Sequence, residues 1–179
     1  ALFRVGELRS SETLLVHGAT SALTLAATQM AVAAGARVLV TAASEEKCAI
    51  AQGLGAAATT TNRESDVTSW AMQQTDGKGV DMVLDHVGPA LWEASLFALA
   101  PRGRLVTCGN TTGDSADIPS LGFLFQRGVQ IKGSDAYFST DFACVWAHYC
   151  EGMERGRFSP QIQETFAVED GAQAHRLLE

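Results

Sequence analysis

Residues 13–40 read TLLVHGATSALTLAATQMAVAAGARVLV, and this stretch decides the fold. It opens on an apolar run, Leu14-Leu15-Val16, and turns at Gly18. It continues as a helix of small residues from about Ser21 to Ala34, breaks at Gly35, and resumes as a second apolar run, Val38-Leu39-Val40. Strand, tight turn, helix, strand is the unit that builds a parallel sheet. The turn brings backbone N–H groups to a helix N-terminus, where an anionic phosphate can sit.

The pattern continues outward from this unit. Ser44 is placed to cap a helix running to about Leu54, with Glu45 and Glu46 in its favourable first turn. A short strand is expected over Ala57–Thr60, and Asp66 is placed to cap a helix carrying Val67, Trp70 and Ala71. Val80–Leu84 reads as a strand ended by Asp85-His86-Val87-Gly88. Leu91–Ala100 reads as a helix closed by Pro101-Arg102-Gly103, and Arg104–Cys108 as the next strand. A short helix over Leu121–Phe125, a sixth strand over Val129–Gly133, and helices over Asp141–Arg155 and Val168–Glu179 complete the series. Strands alternating with helices imply an α/β fold, a doubly wound parallel sheet of about six strands with helices on both faces. In such sheets ligands bind at the carboxyl ends of the strands. Gly18–Ala22, Ala43–Lys47, Asp85–Gly88 and Cys108–Thr111 all fall there.

Composition narrows the partners. The chain has 179 residues, is 46% hydrophobic and carries a net charge of −7 with no basic stripe, so nucleic acid is not expected. No apolar run approaches membrane-spanning length. Cys48, Cys108, Cys144 and Cys150 form neither a CxxC nor a Cys/His cluster, so no metal site is expected and a reducing cytoplasm is. Both ends read as cut, which suggests one domain, residues 1–179, excised from a longer protein.

A phosphate turn normally carries three spaced glycines. Here HGATSALT supplies only Gly18. Thr20 and Ser21 offer hydroxyls, and the N–H groups of Ser21, Ala22 and Leu23 are expected to point out of the helix start. By itself the turn reads equally as an ordinary strand-to-helix junction capped by Ser21.

The run from Leu14 through Ala56, together with DGKGVDMVLDHVG, LAPRGRLVTCGNTTG and AHRLLE, resembles the cofactor domain of the medium-chain dehydrogenase/reductase superfamily, in its zinc-free quinone oxidoreductase branch. The resemblance implies a Rossmann domain that binds NADPH. It also implies a preceding GroES-like domain and a further final strand, both absent from this sequence. Relatives carry A-x-G-G-V-G where this chain has Ala19-Thr20-Ser21-Ala22-Leu23-Thr24, so Ala22 and Thr24 stand in glycine positions. Thr24 is expected either to push the helix outward or to tuck its hydroxyl onto the preceding turn. Weakened cofactor affinity is expected.

The resemblance assigns further cofactor contacts. The second strand ends Thr41-Ala42-Ala43-Ser44 with no acid to hold a ribose 2′-hydroxyl, whereas Ser44 and Lys47 suit a 2′-phosphate. Asn62 takes the adenine-stacking position, with Arg63 beside it. Val87, Cys108, Gly109, Asn110 and Ser134 are expected around the nicotinamide ribose, with Tyr137 near. His86 is read as a loop residue, His17 as packed, and no catalytic side chain is assigned. Gln130–Ala136 is the candidate edge for a homodimer. The implied activity is hydride transfer from NADPH to a small hydrophobic conjugated carbonyl or quinone. The alternative is a degenerate Rossmann domain kept for dimerisation or scaffolding. A methyltransferase and a zinc-dependent alcohol dehydrogenase are disfavoured.

Overall fold

The structure is a computed structural model that describes residues 1–62, 66–135 and 142–178. The strands are β1 (Thr13–His17), β2 (Arg37–Ala42), β3 (Ala58–Thr61), β4 (Val80–Asp85), β5 (Leu99–Thr107) and β6 (Gln130–Gly133). The helices are α1 (Ala22–Ala33), α2 (Glu45–Gly53), α3 (Val67–Gln74), α4 (Pro89–Phe97), α5 (Leu121–Arg127), α6 (Phe142–Glu154) and α7 (Gly171–Leu178). All strand pairs are parallel, in the order β3-β2-β1-β4-β5-β6. The order reverses between β1 and β4, which opens a crevice at their carboxyl ends. This is the expected doubly wound sheet.

The central strands read as unbroken apolar runs because both faces are covered. Leu14, Val16, Val38, Val40, Met82 and Leu84 pack on one face with Ala27 and Ala31 of α1. Leu15, Leu39, Val83 and Leu105 pack on the other with Ala71 of α3 and Leu96 of α4. The alanine-rich face of α1 lets it lie close to the sheet.

One boundary differs from the expectation. Leu99 and Ala100 belong to β5 rather than to the preceding helix, which ends at Phe97. The Val80 N–H bonds the Ala98 carbonyl, and Leu99 pairs with Val80. The ladder shifts register between Val80 and Met82, and Arg102 takes a φ of 65°. Pro101-Arg102-Gly103 is therefore an irregularity within a strand, not the close of a helix. The final helix also starts later than expected, with Val168–Asp170 forming a 3-10 turn before α7.

Arg104 on β5 holds residues 6–12 against the sheet. It is 9% exposed and ion-pairs with Glu12 at 2.5 Å. It also donates to the carbonyls of Gly6, Glu7 (3.1 Å) and Asp81 (3.0 Å). Burial opposes ionisation of Glu12, but the Arg104 hydrogen bond, the Arg9 N–H and both guanidinium charges together hold its carboxyl below the usual value. A depressed carboxyl pKa adds stability above the unfolded-state pKa, and that stability is lost as pH falls. Glu12→Ala is therefore expected to cost about 2–3 kcal/mol in urea unfolding at pH 7, with the gap to wild type narrowing at pH 4. A gap that is constant with pH would contradict this.

Candidate functional site

The site is built on the β1–α1 turn. Gly18 takes a φ of 74°, which a side chain rarely adopts. That geometry lets the N–H groups of Gly18 and Ala19 both bond the Thr41 carbonyl at the end of β2, at 2.9 and 3.1 Å. The turn is thereby fixed to the neighbouring strand, and α1 starts at the centre of the sheet's carboxyl edge.

Thr24 resolves the glycine question. It is fully buried, and its Oγ1 donates to the His17 carbonyl at 2.6 Å. The hydroxyl has tucked onto the preceding turn, the second of the two expected outcomes. Ala22 is exposed and helical, and it is not among the residues with positive φ. Its methyl thus adds neither backbone strain nor bulk to the buried core at the helix start.

Ser21 differs from the expectation. Its N–H bonds the Gly18 carbonyl at 2.9 Å, so it does not point outward. Its Oγ accepts from the Thr24 N–H at 3.1 Å and donates to Thr24 Oγ1 at 2.9 Å. Cap formation uses the hydroxyl that a ligand would otherwise take. The N–H groups of Ala22 and Leu23, in the first turn, have no acceptor within the helix.

The other expected residues fall around this point. Ala43 and Ser44 lie between β2 and α2. Ser44 sits at the cap position but makes no side-chain cap bond, so α2 starts without one and the hydroxyl stays available. Lys47 is exposed on the first turn of α2. The Asn62 N–H bonds the Ala42 carbonyl at 2.9 Å, placing Asn62 beside the end of β2. The Val87 carbonyl accepts the Thr112 N–H at 2.8 Å. Cys108, Gly109, Asn110 and Ser134 share a cavity of about 540 Å³ with Gly88, Trp92 and Asp114. Gly109 suits a close approach, since a Cβ there would lie 3.1 Å from the His86 carbonyl oxygen and the neighbour would have to give by a few tenths of an ångström. Arg63, Ala136 and Tyr137 lie outside the described residues.

A second cavity, of about 490 Å³, was not legible in the sequence. Thr20 and Ala22 form part of it, against Tyr149 and residues 159–164. Gln29 fastens this segment to α1: its Oε1 accepts the Ser159 N–H at 2.7 Å and its Nε2 donates to the Ser159 carbonyl at 3.0 Å.

At the floor of the crevice His17, Asp85 and Cys108 have shifted pKa values. His17 is fully buried, its Nδ1 2.9 Å from Thr41 Oγ1 and its Nε2 2.9 Å from Ser95 Oγ. Burial, with His86 nearby, lowers its pKa to about 4, so it stays neutral. Burial raises the Asp85 carboxyl, whose Oδ1 accepts the Val87 and Gly88 N–H groups and whose Oδ2 has no partner among the described residues. Burial lifts the Cys108 thiol to about 11, so it is neutral near pH 7. Among the described residues, no group of three His, Cys, Asp or Glu could hold a metal ion, and no helix is long and apolar enough to cross a membrane.

A profile of the family described as zinc-binding dehydrogenase matches residues 22–150. The chain is 35% identical over 174 residues to a quinone oxidoreductase of Pseudomonas aeruginosa, covering 94% of this chain and 53% of that protein. It is 34% identical over 186 residues to a phenolphthiocerol/phthiocerol polyketide synthase of Mycobacterium tuberculosis, covering 99% of this chain and 8% of that one. The crystal structure of Escherichia coli quinone oxidoreductase complexed with NADPH superposes with a TM-score of 0.87 at 29% identity, over 99% of this chain and 56% of that chain. The chain therefore belongs to the zinc-binding dehydrogenase family of the medium-chain dehydrogenase/reductase superfamily, in its quinone oxidoreductase branch. It spans about half the length of the quinone oxidoreductases it matches.

The buried, neutral His17 gives a pH signature. Between pH 6.5 and about 4 the unfolded state binds a proton that the folded state refuses, so stability falls as pH falls through that window. His17 is expected to contribute a loss of about 3 kcal/mol across it. His17→Gln should flatten that part of the urea-unfolding pH profile; an unchanged slope would contradict a buried neutral imidazole.

Proposed function

We propose that residues 1–179 form the nicotinamide-dinucleotide-binding domain of an NADPH-dependent oxidoreductase that acts, without zinc, on a conjugated carbonyl or a quinone. The observation that carries this is the start of α1. It opens at the sheet's crevice with the N–H groups of Ala22 and Leu23 without a partner among the described residues, the Thr24 hydroxyl turned inward and Ala22 exposed. A diphosphate meets amide donors and the positive end of a helix there. The relationship to an enzyme crystallised with NADPH supports the same reading.

In this proposal the bound dinucleotide supplies the hydride. The chain's own residues position it. Gly18, Thr20, Ala22 and Leu23 hold the diphosphate, with Ser21 shaping the turn as its cap. Ser44 and Lys47 take the 2′-phosphate beside Ala43, and Asn62 flanks the adenine. Val87, Cys108, Gly109, Asn110 and Ser134 border the nicotinamide end. No side chain is assigned as acid or base, and Cys108 stays a neutral thiol. A homodimer through the edge of β6 belongs to the same proposal. Strand β6 bonds only β5 among the described strands, and Gln130, Ile131 and Gly133 are exposed.

Fluorescence titration with NADPH and NADH tests the proposal. Lys47→Glu is expected to weaken NADPH binding at least tenfold, about 1.4 kcal/mol, and to leave NADH nearly unchanged. Absence of binding by either nucleotide at millimolar concentration would overturn the proposal in favour of a degenerate domain kept for assembly.

A further inference from the structure

His86 stands where β4 meets the phosphate turn. Its Nε2 lies 2.9 Å from the His17 carbonyl oxygen, 3.2 Å from Thr24 Oγ1 and 3.4 Å from Ser21 Oγ. A carbonyl oxygen only accepts, so Nε2 carries the ring proton and the neutral ring keeps its lone pair on Nδ1. Nδ1 has no hydrogen-bond partner among the described residues, and the side chain is partly exposed. The ring packs against the turn itself: a Cβ on Gly18 would lie 3.6 Å from its Cε1 and Nε2.

We propose that His86 is the proton-linked group of the phosphate turn: it holds the turn through Nε2–H and takes up a proton at Nδ1 when a dinucleotide diphosphate is bound. The inference rests on the dinucleotide reading above and adds a residue and a charge change to it.

The surroundings set the sign. From α1 the ring meets the positive end of a helix, which disfavours an imidazolium, and no charged side chain lies in that first turn. From β1 it meets neutral His17, and after β5 the neutral Cys108 thiol. From β4, Asp85 alone among these neighbours favours the cation. A diphosphate held by the first-turn amides of α1 would add two negative charges next to the Ser21 cap, whose Oγ is 3.4 Å from the ring's Nε2, and the balance would tip towards protonation. The proton comes from solvent, and no covalent bond changes. Binding then strengthens as pH falls from 8 to 6.

NADH is the probe, because its diphosphate does not titrate in this range, whereas a phosphomonoester such as the 2′-phosphate of NADPH does. Two measurements on the chain are paired: the NADH dissociation constant from pH 6 to 8, and the His86 ring titration by NMR with and without saturating NADH. The dissociation constant is expected to rise roughly three- to tenfold from pH 6 to 8, with the His86 ring signals responding to NADH over the same range. His86→Gln, which keeps an N–H donor for the His17 carbonyl, is expected to bind NADH with a flat profile. A ring titration unmoved by NADH, or the same slope in His86→Gln, would overturn the inference while leaving dinucleotide binding intact. No binding of NADH or NADPH at any pH would overturn both. The NMR titration of the unaltered chain decides the matter even where the variant folds poorly.

Discussion

The carbonyl oxygen of His17, the last residue of β1, is the point on which fold and site both depend. It receives the Thr24 hydroxyl from α1 and the His86 imidazole from the end of β4. Three parts of the fold are thereby pinned together at the place where strand order reverses. The pin is two hydrogen bonds to one oxygen, in a region from which water is largely excluded, so loss of either leaves a buried acceptor less satisfied. Where glycine would allow close packing by removing bulk, this chain turns the Thr24 hydroxyl inward.

Charge is distributed in keeping with that arrangement. The crevice floor carries His17, Asp85 and Cys108, and burial dominates each: the imidazole and the thiol stay neutral near pH 7, and the carboxyl is raised. The buried oxygen there without a partner among the described residues, Asp85 Oδ2, belongs to a side chain that lines neither of the two cavities. Such a site contributes donors and orientation rather than a strong acid, as expected of a domain whose chemistry resides in a bound cofactor. Away from the crevice, Arg104 ties residues 6–12 to β4 and β5 through its ion pair with Glu12 and its bond to the Asp81 carbonyl.

The sheet was legible in the sequence because its central strands are continuous apolar runs and its turns carry glycine. The doubly wound architecture followed from the alternation with helices. What escaped was tertiary. Leu99 and Ala100 look helical by spacing, yet their backbone is drawn into the ladder by Val80. The phosphate turn was legible as a turn, and the tucked Thr24 hydroxyl as one of two outcomes. The consumption of Ser21's N–H and hydroxyl by the cap was not, because a serine at that position serves a ligand or a helix equally well in sequence. The Gln29–Ser159 clasp joins residues far apart in the chain, and no local pattern announces such a contact.

The central claim is that the first-turn amides of α1 grip a diphosphate despite the missing glycines. Amide chemical-shift mapping with NADPH tests it most directly. The account predicts the largest shifts at Thr20–Leu23 and at Gly109–Asn110, with little change at the opposite edge of the sheet around Asp76–Gly79. Saturating NADPH that leaves Ala22 and Leu23 unmoved would contradict it.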